Sequence, residues 1–203
     1  MTESEELYLL RFRYGRAAEM LVAYNTFLYR QVNVGGKNIC QNDEVVAQIT
    51  HTLLITFYSF IQSMFDKSGT NFISATEQYA SALTEQGKKI RNELIEIWTE
   101  NEKAISKLRN NIGFHGGQKI KSHEVGYGAL KEIHPQTAEF IMNHIALLFI
   151  EMDTILPPRE DYKFHISPEQ KKHLIDKAEI LKNTIADPSF KKMVEELKKT
   201  YGN

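Results

Sequence analysis

Cysteine is almost missing from this chain, because Cys40 is the only one among 203 residues. A single thiol excludes an intrachain disulfide and fits a reducing compartment. An excess of charge of one sign is also missing, since the formal net charge is −1 at pH 7. A surface that binds polyanions over its whole extent is therefore excluded. Any contact with a nucleic acid has to come from a local cleft.

Long hydrophobic runs are missing as well. The most apolar segment, Leu53 to Phe65, is too short to span a bilayer and is interrupted by polar residues. The acidic start of the chain, Met1 to Glu6, has neither the positive block nor the apolar block of a signal peptide. These features predict a soluble, cytoplasmic protein with no membrane partner.

Several motifs of catalytic sites are absent from the sequence. The 7 histidines are accompanied by no His-Glu-x-x-His, no paired Glu-x-x-His and no cysteine cluster, so neither a metal nor another cofactor is expected. A glycine-rich phosphate loop ending in Lys-Ser or Lys-Thr is also missing, which disfavours nucleotide hydrolysis. The Gly-x-Ser-x-Gly nucleophile elbow is missing too.

What the chain does contain is apolar periodicity at three-to-four-residue spacing along nearly its whole length. With 42% hydrophobic residues, the length suits one sizeable core. The pattern predicts an all-α fold, an antiparallel bundle of four to five core helices over residues 1–158. A helical appendage over residues 159–203 is expected to pack on the same domain.

Capping residues predict the helix ends in the first half of the chain. The first helix is expected from Glu5 to Val32, stopping near Gly35-Gly36. A second starts at the Asn42-Asp43 cap and is expected to be the central, most buried helix. Ser74-Ala75-Thr76-Glu77 is typical of a capping box, which predicts a short third segment.

Glycine and proline predict the boundaries in the second half. A helix from Lys88 is expected to run toward residue 112, and Gly113 to Gly128 is expected to be a connection or a weak helix end. Pro135 would open the next helix and Pro157-Pro158 would end it. Two final charged helices are predicted to start at Ser167-Pro168 and Asp187-Pro188.

The segment whose side chains are best suited to catalysis is Arg109-Asn110-Asn111-Ile112-Gly113-Phe114-His115-Gly116. It lies at the end of a long helical pattern. A permanent cation beside an imidazole that titrates near neutral pH suits metal-free cleavage of a phosphodiester. The same interval recurs from Arg159 to His165, but there two acidic residues beside the arginine would neutralise it toward a phosphate. The Arg109 copy is therefore preferred. Flanking lysines predict RNA contacts, namely Lys107, Lys119 and Lys121.

An arginine, a polar residue after it and a histidine six positions after the arginine, at a helix end in an all-α chain of this size, resemble the motif of the HEPN family. That family consists of helical-bundle proteins, many of them metal-independent RNA endonucleases of bacterial toxin–antitoxin and antiviral systems. The resemblance implies that Arg109, Asn110 and His115 are the catalytic residues. A tyrosine two residues after the histidine, found in the subgroup paired with nucleotidyltransferase antitoxins, is replaced here by Gly117. The resemblance therefore does not extend to that particular partner.

The chemistry expected of this site uses the RNA 2′-hydroxyl as the internal nucleophile, which selects RNA over DNA and leaves cyclic phosphate ends. His115 would act as general base or acid. Arg109 would hold a non-bridging phosphate oxygen and stabilise the charge of the transition state. Asn110 would donate to the phosphate or orient the histidine. Such an enzyme of toxin–antitoxin or phage-defence (abortive infection) type would also have an antitoxin or another regulatory protein as partner.

On a straight helix, Arg109 and His115 would not lie on the same face. Six residues of straight helix separate two side chains by about 9 Å of rise and leave them about 120° apart around the axis. Either a helix break at Gly113 or a two-fold dimer would bring Arg109 and His115 together. The family resemblance implies the dimer, with two Arg–His pairs facing each other in a composite active site.

A structural role is the alternative for the same residues. His115 continues the apolar stripe of Leu108 and Ile112, so it could be a core histidine bonded to a backbone carbonyl. Arg109 could merely favour the negative end of its helix. The chain would then be a catalytically silent HEPN-like module that binds RNA or a protein partner.

Other polar and aromatic residues are weighed in the same way. Tyr58, Gln62 and Asp66 lie four residues apart on one face of the second helix. They either reach the same cleft or, as we favour, serve core packing and helix-end charge. Trp98 is expected to be a core anchor rather than a platform for stacking RNA bases.

Overall fold

The computed structural model describes residues 4–30, 32–38, 40–67, 69, 71–112, 120–156 and 166–201. Helices dominate these ranges, and the sheet found there is one short hairpin, so the prediction of an all-α fold is confirmed. A 3₁₀ turn at Ala80–Ala82 precedes the fourth helix. The elements are α1 Glu5–Leu28, β1 Asn33–Val34, β2 Lys37–Asn38, α2 Asp43–Phe65, α3 Phe72–Glu77, α4 Glu85–Ile112, α5 Ile120–Glu132, α6 Thr137–Ile155, α7 Pro168–Ala186 and α8 Pro188–Tyr201.

The centre of the core is α6, where every residue from Phe140 to Met152 is buried. This helix contacts α1, α4 and α7, so several of its faces are covered. The prediction that α2 is the most buried helix is wrong. The first turns of α2 are largely exposed, with Val45 at 43% exposure, and far fewer residues are buried in α2 than in α6. Apolar content alone does not tell how many neighbours a helix has.

Pairs of side chains show that neighbouring helices run antiparallel. Thr84, just before α4, bonds Glu151 near the end of α6, while Glu93 lies beside His144 further back along α6. Helices α6 and α7 are also antiparallel: Asn143 donates to the carbonyl of Leu174, while Glu151, later in α6, bonds Lys171, earlier in α7. This arrangement is that of an up-and-down bundle.

Local caps account for the helix ends that the sequence predicts well. The Asn42 side chain accepts from the amides of Glu44 and Val45 at the start of α2. Ser167 and Gln170 form a capping box at the start of α7. The predicted box at Ser74 is wrong, because Asn71 caps α3 and Ser74 lies inside that helix.

The end of α1 also differs from the prediction. The helix ends at Leu28 instead of Val32, and Arg30 has a left-handed φ of 56°. Gly35 and Gly36, both with positive φ, then form the turn of an antiparallel hairpin. Glycine allows this turn at no steric cost, but each strand has only two residues, too few for an alternating pattern.

The glycine-rich segment after the motif also departs from the expected connection. From Ile120 to Glu132 it forms α5, which packs on the end of α4. A Cβ at Gly126 would lie 2.9 Å from Cγ1 of Ile112, so this glycine permits the close approach of the two helices. Glycine lowers helix propensity, but here the packing outweighs that cost.

Charged side chains join α7 to the bundle. Lys171 reaches Glu151 of α6 at 2.6 Å, and Lys182 reaches Glu93 of α4 at 2.6 Å. Ala178 and Leu181 of α7 are buried in the common core. The predicted boundary at residues 158–159 lies outside the described residues, and so does the proline pair expected to end α6.

One helix among the described residues, α2, has the length and apolar content of a membrane span, and 33% of its apolar window is buried within the fold. It includes the segment Leu53–Phe65 and packs on α1 and α4. These findings give no positive evidence for a membrane.

Candidate functional site

The predicted motif begins in the last turn of α4, which lies against the end of α2. An aromatic stack fixes the two helices together, with the rings of Phe65 and Trp98 at 4.4 Å and nearly parallel. About two turns further along α4 from Trp98, the Ser106 hydroxyl accepts from Nε2 of Gln62 at 2.9 Å. Arg109 therefore projects from a helix whose position is fixed by core contacts.

The guanidinium of Arg109 faces the carboxylate that ends α2. Its Nη1 lies 3.9 Å from Oδ2 of Asp66, and the two side chains are 24% and 36% exposed. A pair at this distance and exposure contributes only about 0–1 kcal/mol to stability. Water and an incoming anion could therefore compete with Asp66 for the guanidinium.

The end of α4 is a cationic surface, which we call the basic end and which consists of Lys103, Lys107 and Arg109. Lys103 is exposed and Lys107 is half-buried. The nearby carboxylate of Glu102 already lies 3.6 Å from Lys67. Within the described ranges, Lys103 and Lys107 have no carboxylate within ion-pair distance. Cations at a helix C-terminus stabilise the helix, and they also attract anions.

The two asparagines of the motif have different environments. Asn110 is exposed, so its amide is free to meet a ligand from solution. Asn111 is half-buried, and its Nδ2 donates to the carbonyl of Lys107 at 2.7 Å. Asn111 thus stabilises the helix end, while Asn110 is the amide that the motif presents to solvent.

The remaining predicted site residues follow α4 in the sequence. His115 and Lys119 lie outside the described residues, as does the second copy of the interval, Arg159 to His165. Lys121 belongs to the first turn of α5. The structure therefore places Lys107, Arg109 and Asn110 in the last turns of α4, and the position of the histidine stays a prediction.

Tyr58 and Gln62 of α2 pack inward, as the sequence favours, whereas Asp66 at the end of the helix faces Arg109 of the candidate site. Tyr58 is 2% exposed, and burial together with the nearby Tyr24 raises the pKa of its phenol. Gln62 bonds Ser106, yet its buried Oε1 has no hydrogen-bond partner among the described residues. Trp98 is buried in the core, as predicted.

Sequence reasoning missed a second polar region, a cleft of about 480 Å³ between α4, the end of α5, the start of α6, and α7 with α8. We call it the acidic cleft, because four carboxylates line it, those of Glu93, Glu96, Glu100 and Glu132. The spacing of three of them on α4 is visible in the sequence, but it is also typical of an ordinary solvated helix face. Only the packing of α6, α7 and α8 encloses the space in front of them.

Behind the acidic cleft lies a buried polar network. His144 is fully buried, and its Nδ1 and Nε2 lie 3.0 Å from the carbonyl oxygen of Phe140 and 3.3 Å from Oε2 of Glu93. Burial lowers the pKa of His144, although the bond to Glu93 opposes this effect. Burial acts to raise the pKa of Glu93, but bonds from Lys182 and His144 outweigh it and lower that pKa.

Metal ligands do not converge in the part of the chain that the structure describes, where no group of three or more His, Cys, Asp or Glu side chains could hold an ion. The basic end offers hydrogen bonding and charge stabilisation by the guanidinium and an amide. The acidic cleft offers carboxylates and apolar walls.

No protein-family model matches the chain, and neither the curated proteins nor the solved structures yield a match.

Proposed function

We propose that the chain is a metal-independent RNA endonuclease of bacterial toxin–antitoxin or phage-defence type, acting in the cytoplasm, with Arg109, Asn110 and His115 as its catalytic residues. The observation that carries this proposal is the setting of Arg109. A partly exposed guanidinium stands in the last turn of a rigid helix, beside the exposed amide of Asn110, and the chain continues directly toward His115. Rigid elements that hold a charged group at a surface are what transition-state stabilisation needs.

The charge around the motif supports binding of a phosphate backbone. Lys103 and Lys107 add two ammonium groups within two turns of Arg109. The chain as a whole carries a net charge of −1, so the basic end is a local feature rather than part of a general cationic surface. RNA contacts through phosphates depend on such local clusters.

The proposed reaction is a transesterification followed by hydrolysis. His115 removes the proton of the RNA 2′-hydroxyl, and the oxygen attacks the adjacent phosphorus. The bond from phosphorus to the 5′-oxygen breaks, and the leaving oxygen takes a proton from water. Arg109 binds a non-bridging oxygen and stabilises the additional charge that develops on it. Asn110 donates to the same phosphate. The first product carries a 2′,3′-cyclic phosphate.

A catalytically silent module that binds RNA or a protein partner is the second candidate. The observation that favours it is the contact between Arg109 and Asp66, because a carboxylate already faces the guanidinium and reduces its charge toward a phosphate. In that case the basic end would bind its partner without cleaving it.

The deciding experiment is digestion of total RNA and of a synthetic RNA with the purified protein in excess EDTA. We expect cleavage that EDTA leaves unchanged and that falls about a hundredfold or more in Arg109→Ala and in His115→Ala. A strand with a 2′-deoxy sugar at the cleaved position should resist. Abolition of cleavage by EDTA would contradict the proposal.

Matched variants separate catalysis from folding. Arg16→Ala removes an exposed arginine whose partner is Glu19 on the same helix, and His173→Ala removes an exposed histidine of α7. Both should retain wild-type cleavage.

Two outcomes would favour the alternatives. Binding of RNA with no cleavage by the wild type would identify the silent module, and loss of folding in His115→Ala would assign that histidine a packing role.

A further inference from the structure

The inference concerns the acidic cleft, which is independent of the motif at the end of α4. Its volume of about 480 Å³ is within the range of sites for small molecules, roughly 300–1,000 Å³. Its walls combine the carboxylates with aromatic side chains, those of Phe140 and Phe190. A mixed lining of this kind suits a ligand with an apolar body and a charged group.

The lining carries four carboxylates against two ammonium groups, those of Lys182 and Lys191, so its charges favour a cation. Lys182 is already bonded to Glu93 at 2.6 Å, so this pair is internally neutral. Glu96 and Glu100 are exposed on α4, and within the described ranges neither has a basic side chain at ion-pair distance. Burial lowers the pKa of His134, which lines the cleft, and this favours the neutral imidazole, which does not repel a cation.

A second observation comes from Thr137, which also lines the cleft. Its side chain is fully buried, and within the described residues its Oγ1 has no hydrogen-bond partner. Threonines inside the helices donate to the carbonyl four residues earlier, as Thr50 does to Val46 and Thr99 does to Ile95. Thr137 is the first residue of α6, so no helical carbonyl stands at that position. Burying an unpaired hydroxyl costs free energy unless a ligand completes its bonding.

We infer that the acidic cleft binds a small organic cation, an ammonium or guanidinium group on an apolar body. The cationic group donates to the carboxylates of Glu96 and Glu100 and to the hydroxyl of Thr137. The apolar body packs against Phe140 and Phe190, whose rings also attract positive charge. The cleft is thus a second site, with a chemistry opposite to that of the basic end.

The test uses 2-phenylethylamine as the probe and isothermal titration calorimetry on the full chain. We expect a Kd of about 1 mM or tighter at low salt. Its neutral analogue 2-phenylethanol and the anion 3-phenylpropionate should bind at least about tenfold more weakly. Equal affinity for the amine and the alcohol, or no binding of the amine at millimolar concentration, would overturn the inference.

Variants locate the binding. Glu96→Gln with Glu100→Gln removes both charges from exposed positions, which folding should tolerate, and should weaken the amine about tenfold or more. Glu19→Gln with Glu124→Gln removes two exposed carboxylates that do not line the cleft and should leave the affinity unchanged.

Thr137→Val keeps the shape of the side chain and removes its hydroxyl. The affinity for the amine should therefore fall about threefold or more, while the circular dichroism spectrum stays the same. An amine that binds the Glu96/Glu100 variant as well as the wild type has bound elsewhere and refutes the site.

Discussion

Single residues decide how the basic end and the buried network behave. Arg109 is held only loosely by Asp66, because their atoms are 3.9 Å apart and both side chains reach solvent. His144 is in the opposite situation, fully buried between two acceptors. A neutral imidazole can donate to only one of them, whereas an imidazolium could donate to both. The exposed pair should therefore affect ligand binding, and the buried group should affect stability.

Asp66→Asn tests the loose pair. Removing the carboxylate leaves the guanidinium of Arg109 with its full charge toward a phosphate, so we expect the KM for RNA to fall about threefold to tenfold. The melting temperature should change little, since such a pair contributes about 0–1 kcal/mol. Steady-state cleavage kinetics and thermal unfolding measure the two effects. A fall in kcat without a change in KM would instead make Asp66 a residue that positions Arg109.

The buried histidine predicts how stability depends on pH. Burial holds the pKa of His144 in the folded protein below its ordinary value of 6.5, which the unfolded chain retains. Between the two pKa values the unfolded chain binds a proton that the folded protein does not. The free energy of unfolding should therefore fall as the pH falls below about 6.5.

Urea unfolding at pH 7.5, 6.5 and 5.5 measures this dependence. His144→Gln should reduce the slope, and so should His134→Asn, because burial lowers the pKa of His134 as well. His173→Gln, at an exposed position, serves as the control. A wild-type stability that is constant across this range would contradict the prediction.

At the scale of elements, the meeting of α4 and α5 depends on a missing side chain. Gly126 lets the backbone of α5 approach Ile112, the last residue of α4. A Cβ at this position would lie 2.9 Å and 3.0 Å from two carbons of Ile112. Gly128, two residues later on the same helix, has no atom of the described residues within 4 Å of such a Cβ. The two glycines should therefore respond differently to alanine.

Gly126→Ala should destabilise the protein by about 1–3 kcal/mol, because the new methyl group forces α5 away from Ile112. Gly128→Ala should stabilise it by about 0.5–1 kcal/mol through helix propensity. Chemical denaturation of both variants gives the two values. Equal stabilisation by both substitutions would show that α5 does not pack on Ile112.

At the scale of the whole molecule, the charge is arranged along α4. Its middle faces the acidic cleft with Glu93, Glu96 and Glu100, whereas its last turns form the basic end. A cationic ligand and an anionic one would thus bind at opposite parts of one rigid helix. The net charge of −1 gives no sign of this separation, because it sums 25 basic and 26 acidic residues over the whole chain.

The composite active site that the family resemblance implies would need an assembly of two chains. A composite site needs two Arg109–His115 pairs related by a two-fold axis, so we expect a homodimer at micromolar concentration. Sedimentation velocity measures the mass, and the specific activity should fall on dilution below the dimer dissociation constant. A purely monomeric protein with full cleavage activity would refute the composite site.

The sequence by itself determined the helices and most of their starts. Asn42, the box of Ser167 with Gln170, and Asp187 before Pro188 act on amides only two or three residues away, so their effect is visible along the chain. It also singled out the arginine and the amide of the candidate site, since a motif needs only residue types and spacing. The helicity of the glycine-rich α5 was not visible, because Gly126 acts through contact with another helix.

The tertiary structure alone decided which helix became the core, which carboxylate faced Arg109 and where a cleft formed. α6 replaced α2 at the centre because α1, α4 and α7 cover it, and Asp66 met Arg109 because α2 and α4 lie side by side. The carboxylates of α4 became a cleft only where α6, α7 and α8 close over them. These features depend on contacts between residues far apart in the chain, whereas caps and periodicity act locally.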